Sequence, residues 1–408
     1  MRQGNVVASL DVGTSKVAVM VGRVGYDGEL ELLGTGSSPA NGLRRGVVVE
    51  VDRTTAAIRR AVAAAERMAG VEIESVVVGL SGDHLASQPY RSSVLVSGED
   101  HIITPQDVER VMEAVRLRKV PPKREIITIL AREFIVDGVD GIFDPVGMVG
   151  MNLEVSALMV TGAVTAVQNL LQSVYRAGLE VEDLIPAAQA AGEAVLLPEE
   201  KDLGVIVADI GAGTSDVAWF QAGTPCAQIA VPIGGSHITN DIAVGLRTTL
   251  QQAEELKLAC RNLREEGAAE GKFFETAGLT GQERRKVSER ELAAIVEPRV
   301  EEIFALIKER LFPADSPEVI PGGLVLTGGT AELHGIAEFA RAELGMSVRL
   351  GRPALEEMEV DPPTAWSVAA GLLRYAADNH PPPADEGHRR GLVGELWQRI
   401  RSWFEDIF

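Results

Sequence analysis

The sequence predicts an α/β protein of two duplicated lobes, with a βαββ subdomain inserted between them and an amphipathic helix behind a C-terminal linker. Three observations predict it. A hairpin motif occurs twice, in VVASLDVGTSKVAVMVG (6–22) and GVIVADIGAGTSDVAWF (204–220). Each copy runs apolar strand, Asp-x-Gly, Thr-Ser, apolar strand, and the alternation around a glycine turn reads as a hairpin. The spacing of roughly 200 residues is too long for a solenoid repeat and suits two domains. An irregular block separates the copies, and the chain closes with GLVGELWQRIRSWFEDIF behind a proline-rich stretch.

Composition bounds the rest. A length of 408 residues with 46% hydrophobic and 24% charged residues is globular and points to two or more domains. A net charge of −20 excludes a nucleic-acid binder, whose phosphate contacts need surplus Lys and Arg. Two cysteines, Cys226 and Cys260, make no disulfide framework and suit a reducing cytoplasm. The N-terminus reaches a glycine turn too early for a signal-peptide core, and nowhere do enough apolar residues run together to span a bilayer. Any membrane contact should lie on the surface.

The inserted block holds SSVLVS (92–97), the Thr104-capped helix TPQDVERVMEAVRLRK, and strands around EIITILAREFIVD and MNLEVSALMVTG. IPAAQAAGEAVLL (185–197) and PTAWSVAAGLLRYAA (363–377) are small-residue helices, able to pack closely through Ala187, Ala190, Ala194, Ala365 and Ala369. The stretch 251–310 is polar and charged and reads as two or three helices. A third glycine turn lies in GGLVLTGGTAELHGIAEF (322–339), between strand and helix. DNHPPPADEGH (378–388) is an extended linker.

Glycine turns of this kind suit phosphate. Glycine lets backbone N–H groups approach phosphoryl oxygens, and the hydroxyls of Thr14, Ser15, Thr214 and Ser215 add donors. Asp11 and Asp209 are no phosphate ligands, but they suit a water-coordinated Mg²⁺ held between the two tips. Two copies in register, a strand–GGT–helix turn and two small-residue helices together specify a two-lobed nucleotide clamp.

The set resembles the actin, DnaK-type chaperone and sugar-kinase superfamily, with duplicated ribonuclease-H-like domains. Its elements are phosphate 1 (Asp11–Lys16), connect 1 (185–197), phosphate 2 (Asp209–Asp216), adenosine (324–335) and connect 2 (363–377). More narrowly, VVVGLSGDHLASQ (76–88), VPIGGSHITNDIAVGLRTTLQQAEELK (231–257), EPRVEEIFALI (297–307) and the amphipathic tail resemble the bacterial cell-division family FtsA over essentially the whole chain.

The resemblance implies ATP and Mg²⁺ as cofactors. Gly13, Thr14, Ser15 and Lys16 would meet the β- and γ-phosphates, with Gly211, Gly213 and Thr214 opposite and Gly234 and Gly235 behind. Glu254 and Lys257 would bracket ribose and adenine, against the plainer reading of a solvated salt bridge, and Gly328, Gly329 and Thr330 would form the adenosine turn. Glu193 lines up with actin's water-positioning Gln, the other reading being an exposed helix Glu; at most slow ATP hydrolysis is implied. The implied domain plan is 1–84, 163–200 and 362–380 for subdomain 1A, and 85–162 for the inserted 1C. Subdomain 2A takes 201–240 and 318–361, 2B takes 241–317, the linker 381–388 and the membrane helix 389–408.

A protein of this kind polymerises under the cytoplasmic membrane at the division septum, and tethers FtsZ through its C-terminal peptide alongside later division proteins. The resemblance places that peptide on 241–317, where Arg284, Arg285, Lys286, Arg290 and Arg299 are the candidate contacts. A sugar or acid kinase would need a substrate pocket with a general base, and a DnaK-type chaperone a further domain. A pilus-assembly adaptor is the nearer alternative, but typically lacks an amphipathic tail.

The tail follows from geometry. At 100° per residue, Leu392, Val393, Leu396, Trp397, Ile400, Trp403, Phe404, Ile407 and Phe408 share an arc of about 160°. Glu395, Gln398, Arg399, Arg401, Ser402, Glu405 and Asp406 fall opposite. With Arg389 and Arg390 beside it, this is the pattern of a helix lying in an anionic membrane surface, the other readings being a core-facing stripe and docking on a partner protein.

Overall fold

A computed structural model describes residues 5–379 apart from 27, 269–270, 279–283, 313–319, 355–359 and 361. The linker and tail anticipated at 381–408 lie outside the described residues.

Lobe 1 begins as the motif predicts. Strands β1 (Asn5–Val12) and β2 (Lys16–Val24) form the first hairpin, and β3 (Leu30–Pro39) extends it antiparallel. A two-residue ladder, β4 (Leu43–Arg44) with β5 (Val47–Val48), leads to helix α1 (Val51–Ala69) and to β6 (Ser75–Leu80), parallel to β1. The alternating strands are buried on both faces because α1 covers one side and later helices the other.

The insertion follows as β7 (Ala86–Leu95), α2 (Pro105–Arg116), β8 (Arg124–Val136), β9 (Val139–Ile142) and β10 (Asn152–Ala163). Its sheet order is β7-β10-β8-β9. Strand β9 is an addition to the βαββ pattern, returned by a tight turn at Asp137 and Gly138, both at positive φ. Thr104 caps α2 as anticipated: Asp107 N–H donates to its Oγ1, and Thr104 N–H donates back to Asp107 Oδ2 at 2.9 Å.

The chain returns through α3 (Val164–Ala177) to β11 (Glu180–Pro186), the far edge of a sheet ordered β11-β6-β1-β2-β3. Helices α4 (Ala187–Val195) and α5 (Pro198–Leu203) then cross to lobe 2. There β12 (Val205–Ile210), β13 (Ser215–Gln221) and β14 (Thr224–Val231) repeat the antiparallel trio, followed by α6 (Gly235–Leu246) and α7 (Leu250–Ala259). The stretch expected to be purely helical contains a hairpin, β15 (Phe273–Ala277) with β16 (Arg284–Ser288), before the long α8 (Glu289–Leu311). β17 (Leu324–Thr327), α9 (Ile336–Leu344) and β18 (Val348–Leu350) complete a sheet ordered β14-β13-β12-β17-β18. Read from its antiparallel edge, this is the lobe 1 order strand for strand, so the duplication is structural. Helix α10 (Ser367–Asn379) closes the fold.

The small-residue helices do what their composition predicts. A Cβ on Gly371 of α10 would lie 1.6 Å from the Ala190 carbonyl oxygen of α4, a crossing only glycine permits. Around it one core joins both lobes, with Val7, Ala18 and Met20 from lobe 1 and Val207, Phe220 and Val325 from lobe 2. The insertion reaches lobe 2 as well: Ser87 Oγ donates to the Gln228 carbonyl at 2.6 Å and accepts from its N–H at 2.9 Å. Among the described residues no helix is long and apolar enough to cross a membrane.

Candidate functional site

The shared core leaves a cleft above it of about 730 Å³, lined from both lobes. Each central hairpin delivers one turn to it. Gly13 N–H donates to the Lys16 carbonyl at 3.0 Å, and Gly211 N–H to that of Thr214 at 2.9 Å, so Gly13–Lys16 and Gly211–Thr214 are equivalent turns. Strand register places Asp11 opposite Ala18 and Asp209 opposite Asp216. Lys16 therefore corresponds to Thr214, and the two Thr-Ser pairs do not superpose. Ser215 falls inside its strand, fully buried, with Oγ donating to the Ile233 carbonyl at 2.8 Å. It is thus no phosphate donor. Thr14, Ser15 and Thr214 line the cleft. The tips meet so closely that a Cβ on Gly213 would sit 2.5 Å from Thr14 Oγ1.

Asp11 and Asp209 both face the cleft, with Lys16 beside them. Burial pushes the Asp11 carboxyl up to about 6, against the attraction of Lys16 and with help from Asp216. Asp209 is raised well above the ordinary range by burial and then by Asp216 and Asp11. Burial lowers Lys16 to about 8 while Asp11 and Asp209 pull it upward. This is a desolvated cluster short of positive charge, which a cation relieves. Among the described residues no three His, Cys, Asp or Glu side chains converge to hold a metal directly. Two carboxylates lining one cleft fit Mg²⁺, which keeps most of its waters and takes few protein ligands.

Lobe 2 supplies the other wall. Gly235 lines the cleft, whereas Gly234 sits behind it, its N–H donating to His237 Nδ1 at 3.1 Å. Thr330 Oγ1 donates to the Gly211 carbonyl at 2.9 Å, tying the Gly328–Thr330 turn to the second hairpin. Glu254 and Lys257 form a half-buried pair, the glutamate side chain 45% exposed. Lys257 Nζ is 2.7 Å from Glu254 Oε2 and donates to Thr239 Oγ1 at 3.0 Å, with its side chain 8% exposed. Leu250 and Leu258 flank Glu254 one turn away on either side, line the cleft, and are 62% and 58% exposed. Exposed leucines inside a cleft are a platform for a flat apolar group.

Glu193 does not line the cleft. Helix α4 meets it through Ala187, and six residues on, at 100° each, a side chain points about 120° away from that direction. Glu193 Oε2 instead holds Lys201 Nζ at 2.5 Å. The water-positioning role fails on that geometry.

Four of the five basic residues proposed for a partner stand in ion pairs. Arg299 clamps Asp241 (2.6 Å) and Glu302, Arg285 holds Glu291, and Arg290 holds Glu265 at 2.9 Å. Arg284, on β16, lies 3.8 Å from Glu275, with Lys286 exposed two residues on. The residues reasoning from the sequence passed over are Ser81, Asp216, Trp366, Leu250 and Leu258. Only Asp216 carried a signal, as the acid ending the second motif.

Comparison with known proteins agrees with this architecture. The profile of "Cell division protein FtsA" matches residues 206–371, and that of "SHS2 domain inserted in FTSA" matches residues 82–161. The chain is 39% identical to the cell division protein FtsA of Pseudomonas aeruginosa, over 100% of this chain and 99% of that protein. It is 38% identical to that of Bacillus subtilis, over 93% and 85%. Among solved structures, the PilM-PilN type IV pilus biogenesis complex matches with a TM-score of 0.64 at 19% identity, covering 91% of this chain and 98% of that one. MreB 5 of Spiroplasma citri bound to AMPPNP gives 0.53 at 14%, covering 90% and 94%. The MamK double helical filament gives 0.51 at 14%, covering 91% and 98%. These three are likenesses of fold alone.

Proposed function

The chain belongs to the FtsA family of cell-division proteins, and from that premise we propose that it binds ATP with Mg²⁺ between its lobes, polymerises on the cytoplasmic face of the membrane at the septum, and anchors FtsZ there. One observation carries the nucleotide reading: two equivalent glycine turns, one per lobe, face each other across a cleft with a carboxylate beside each. Backbone N–H groups and the hydroxyls of Thr14, Ser15 and Thr214 receive the phosphates, and Lys16 adds the charge. Mg²⁺, when bound, neutralises the phosphate charge that Asp11 and Asp209 would otherwise repel. Leu250 and Leu258 take the base, and Glu254 with Lys257 the ribose. Since α4 brings only Ala187 to the cleft, ATP acts mainly as a bound state, and turnover is slow. The fold shared with a nucleotide-bound protein and with a filament supports the nucleotide and polymerisation parts of this reading.

The tail supplies the membrane contact. A single amphipathic helix binds reversibly, and linking many in a filament raises avidity by about 10²–10⁴ without any new contact. Polymerisation thereby controls residence on anionic lipid. FtsZ docks through its C-terminal peptide on 241–317, and the pilus-adaptor alternative is not favoured, since relatives matched over 93–100% of the chain are division proteins. Electron microscopy on anionic lipid monolayers tests the whole. Filaments should form with ATP·Mg²⁺ and be absent without it; the same scattered particles in both conditions would contradict the proposal.

A further inference from the structure

We propose that Trp366 positions the phosphate-binding cation: its indole face holds the Lys16 ammonium in the cleft, so that ATP and ADP meet a charge already in place. The inference rests on the reading of the cleft as a nucleotide site. Lys16 Nζ lies 4.1 Å from the Trp366 ring centroid, inside cation–π range. The ring is fixed, being 6% exposed at the end of the Pro363–Trp366 turn. Pro362 and Ala365, beside it, line the cleft.

That turn is itself tied to the loop expected to hold adenosine. Gly328 N–H donates to the Thr364 carbonyl at 3.1 Å, and Thr364 Oγ1 donates to Glu332 Oε1 at 2.8 Å. Lys16 of lobe 1 is thus held by a ring anchored to the glycine turn of lobe 2. A free lysine would lose side-chain freedom when a phosphate captured it, and one already resting on a ring loses less. Three other influences act on the ammonium. Burial disfavours its charge and brings it to about 8, and Asp11 on β1 and Asp209 on β12 favour the charge. The indole adds to the favourable side.

Calorimetric titration of ATP·Mg²⁺, ADP·Mg²⁺ and adenosine into the full chain tests this, using Trp366→Met, Trp366→Phe, Lys16→Met and the double variant Lys16→Met/Trp366→Met. Trp366→Met should weaken ATP and ADP roughly three- to thirtyfold and leave adenosine unchanged. Trp366→Phe, which keeps an aromatic face, should restore most of that affinity. In the Lys16→Met background the Trp366 change should cost nothing further. Equal weakening of adenosine, or an undiminished loss in the double variant, overturns the inference and leaves the nucleotide site standing. Should Trp366→Met not fold, the Phe variant decides: a small loss confined to ATP and ADP supports the role, and a loss shared by adenosine overturns it. If the unaltered chain binds neither nucleotide, the reading of the cleft fails, and the inference with it.

Discussion

Across the cleft, Ser81 Oγ at the end of lobe 1 strand β6 donates to Asp216 Oδ2 on lobe 2 strand β13 at 2.5 Å. Gly82 N–H donates to the other oxygen at 3.4 Å, and Ser81 Oγ lies 2.9 Å from Thr214 Oγ1. The contact latches the lobes beside the phosphate turns, on the segment that runs directly into the insertion. Ser81→Ala should lower stability by about 1–2 kcal/mol and speed ADP release. Stopped-flow release of a fluorescent ADP analogue checks it, and a native release rate would remove the latch.

Asp216 also sets a pH dependence. Burial raises its carboxyl to about 6 from an ordinary 3.8, against hydrogen bonds from Ser81, Thr214 and Gly82 that lower it. The folded state therefore keeps a proton that the unfolded chain has lost. The associated stability is present below 3.8 and lost as pH rises through about 6. Asp216→Asn, which keeps an oxygen for Ser81, should gain melting temperature relative to the native chain across that window. A difference constant with pH would place the proton elsewhere.

What the sequence made legible was local. Alternating apolar residues around Asp-x-Gly announced both hairpins, and Ala190 with Ala369 announced a close helix crossing, because periodicity and side-chain size act within a few residues. What it hid was register and facing. Ala212 and Gly213 stand between Asp-x-Gly and Thr-Ser in the second copy, so in a turn of the same length Ser215 falls in a strand and Asp216 meets Ser81. Glu193 matched a motif by its neighbours, yet its helical phase turns it to Lys201. Trp366 comes to Lys16 from 350 residues further along the chain, a contact no local pattern encodes.

For FtsZ, the ion pairs sort the candidates. Arg299 already serves Asp241 and Glu302, so Arg299→Glu should destabilise the fold by setting three carboxylates together. Lys286→Glu, on an exposed strand position, should weaken an FtsZ C-terminal peptide roughly two- to fivefold at low salt with the melting temperature unchanged. Fluorescence anisotropy measures it. Native affinity in Lys286→Glu takes that residue out of the interface.

Truncation after Pro383, or Trp403→Glu, should abolish co-sedimentation with anionic liposomes while preserving nucleotide and peptide binding. A truncated chain that pellets as well as the full one would mean that the tether lies elsewhere.

The central claim is that two hairpin tips, each with its carboxylate, clamp ATP through Mg²⁺. Calorimetric titration of ATP into the native chain and into Asp209→Ala, with and without Mg²⁺, tests it most directly. The native chain should bind ATP far better with Mg²⁺, and Asp209→Ala should lose roughly 10- to 100-fold of that metal-dependent affinity while melting cooperatively. Equal affinities for the two proteins in Mg²⁺ would contradict the account.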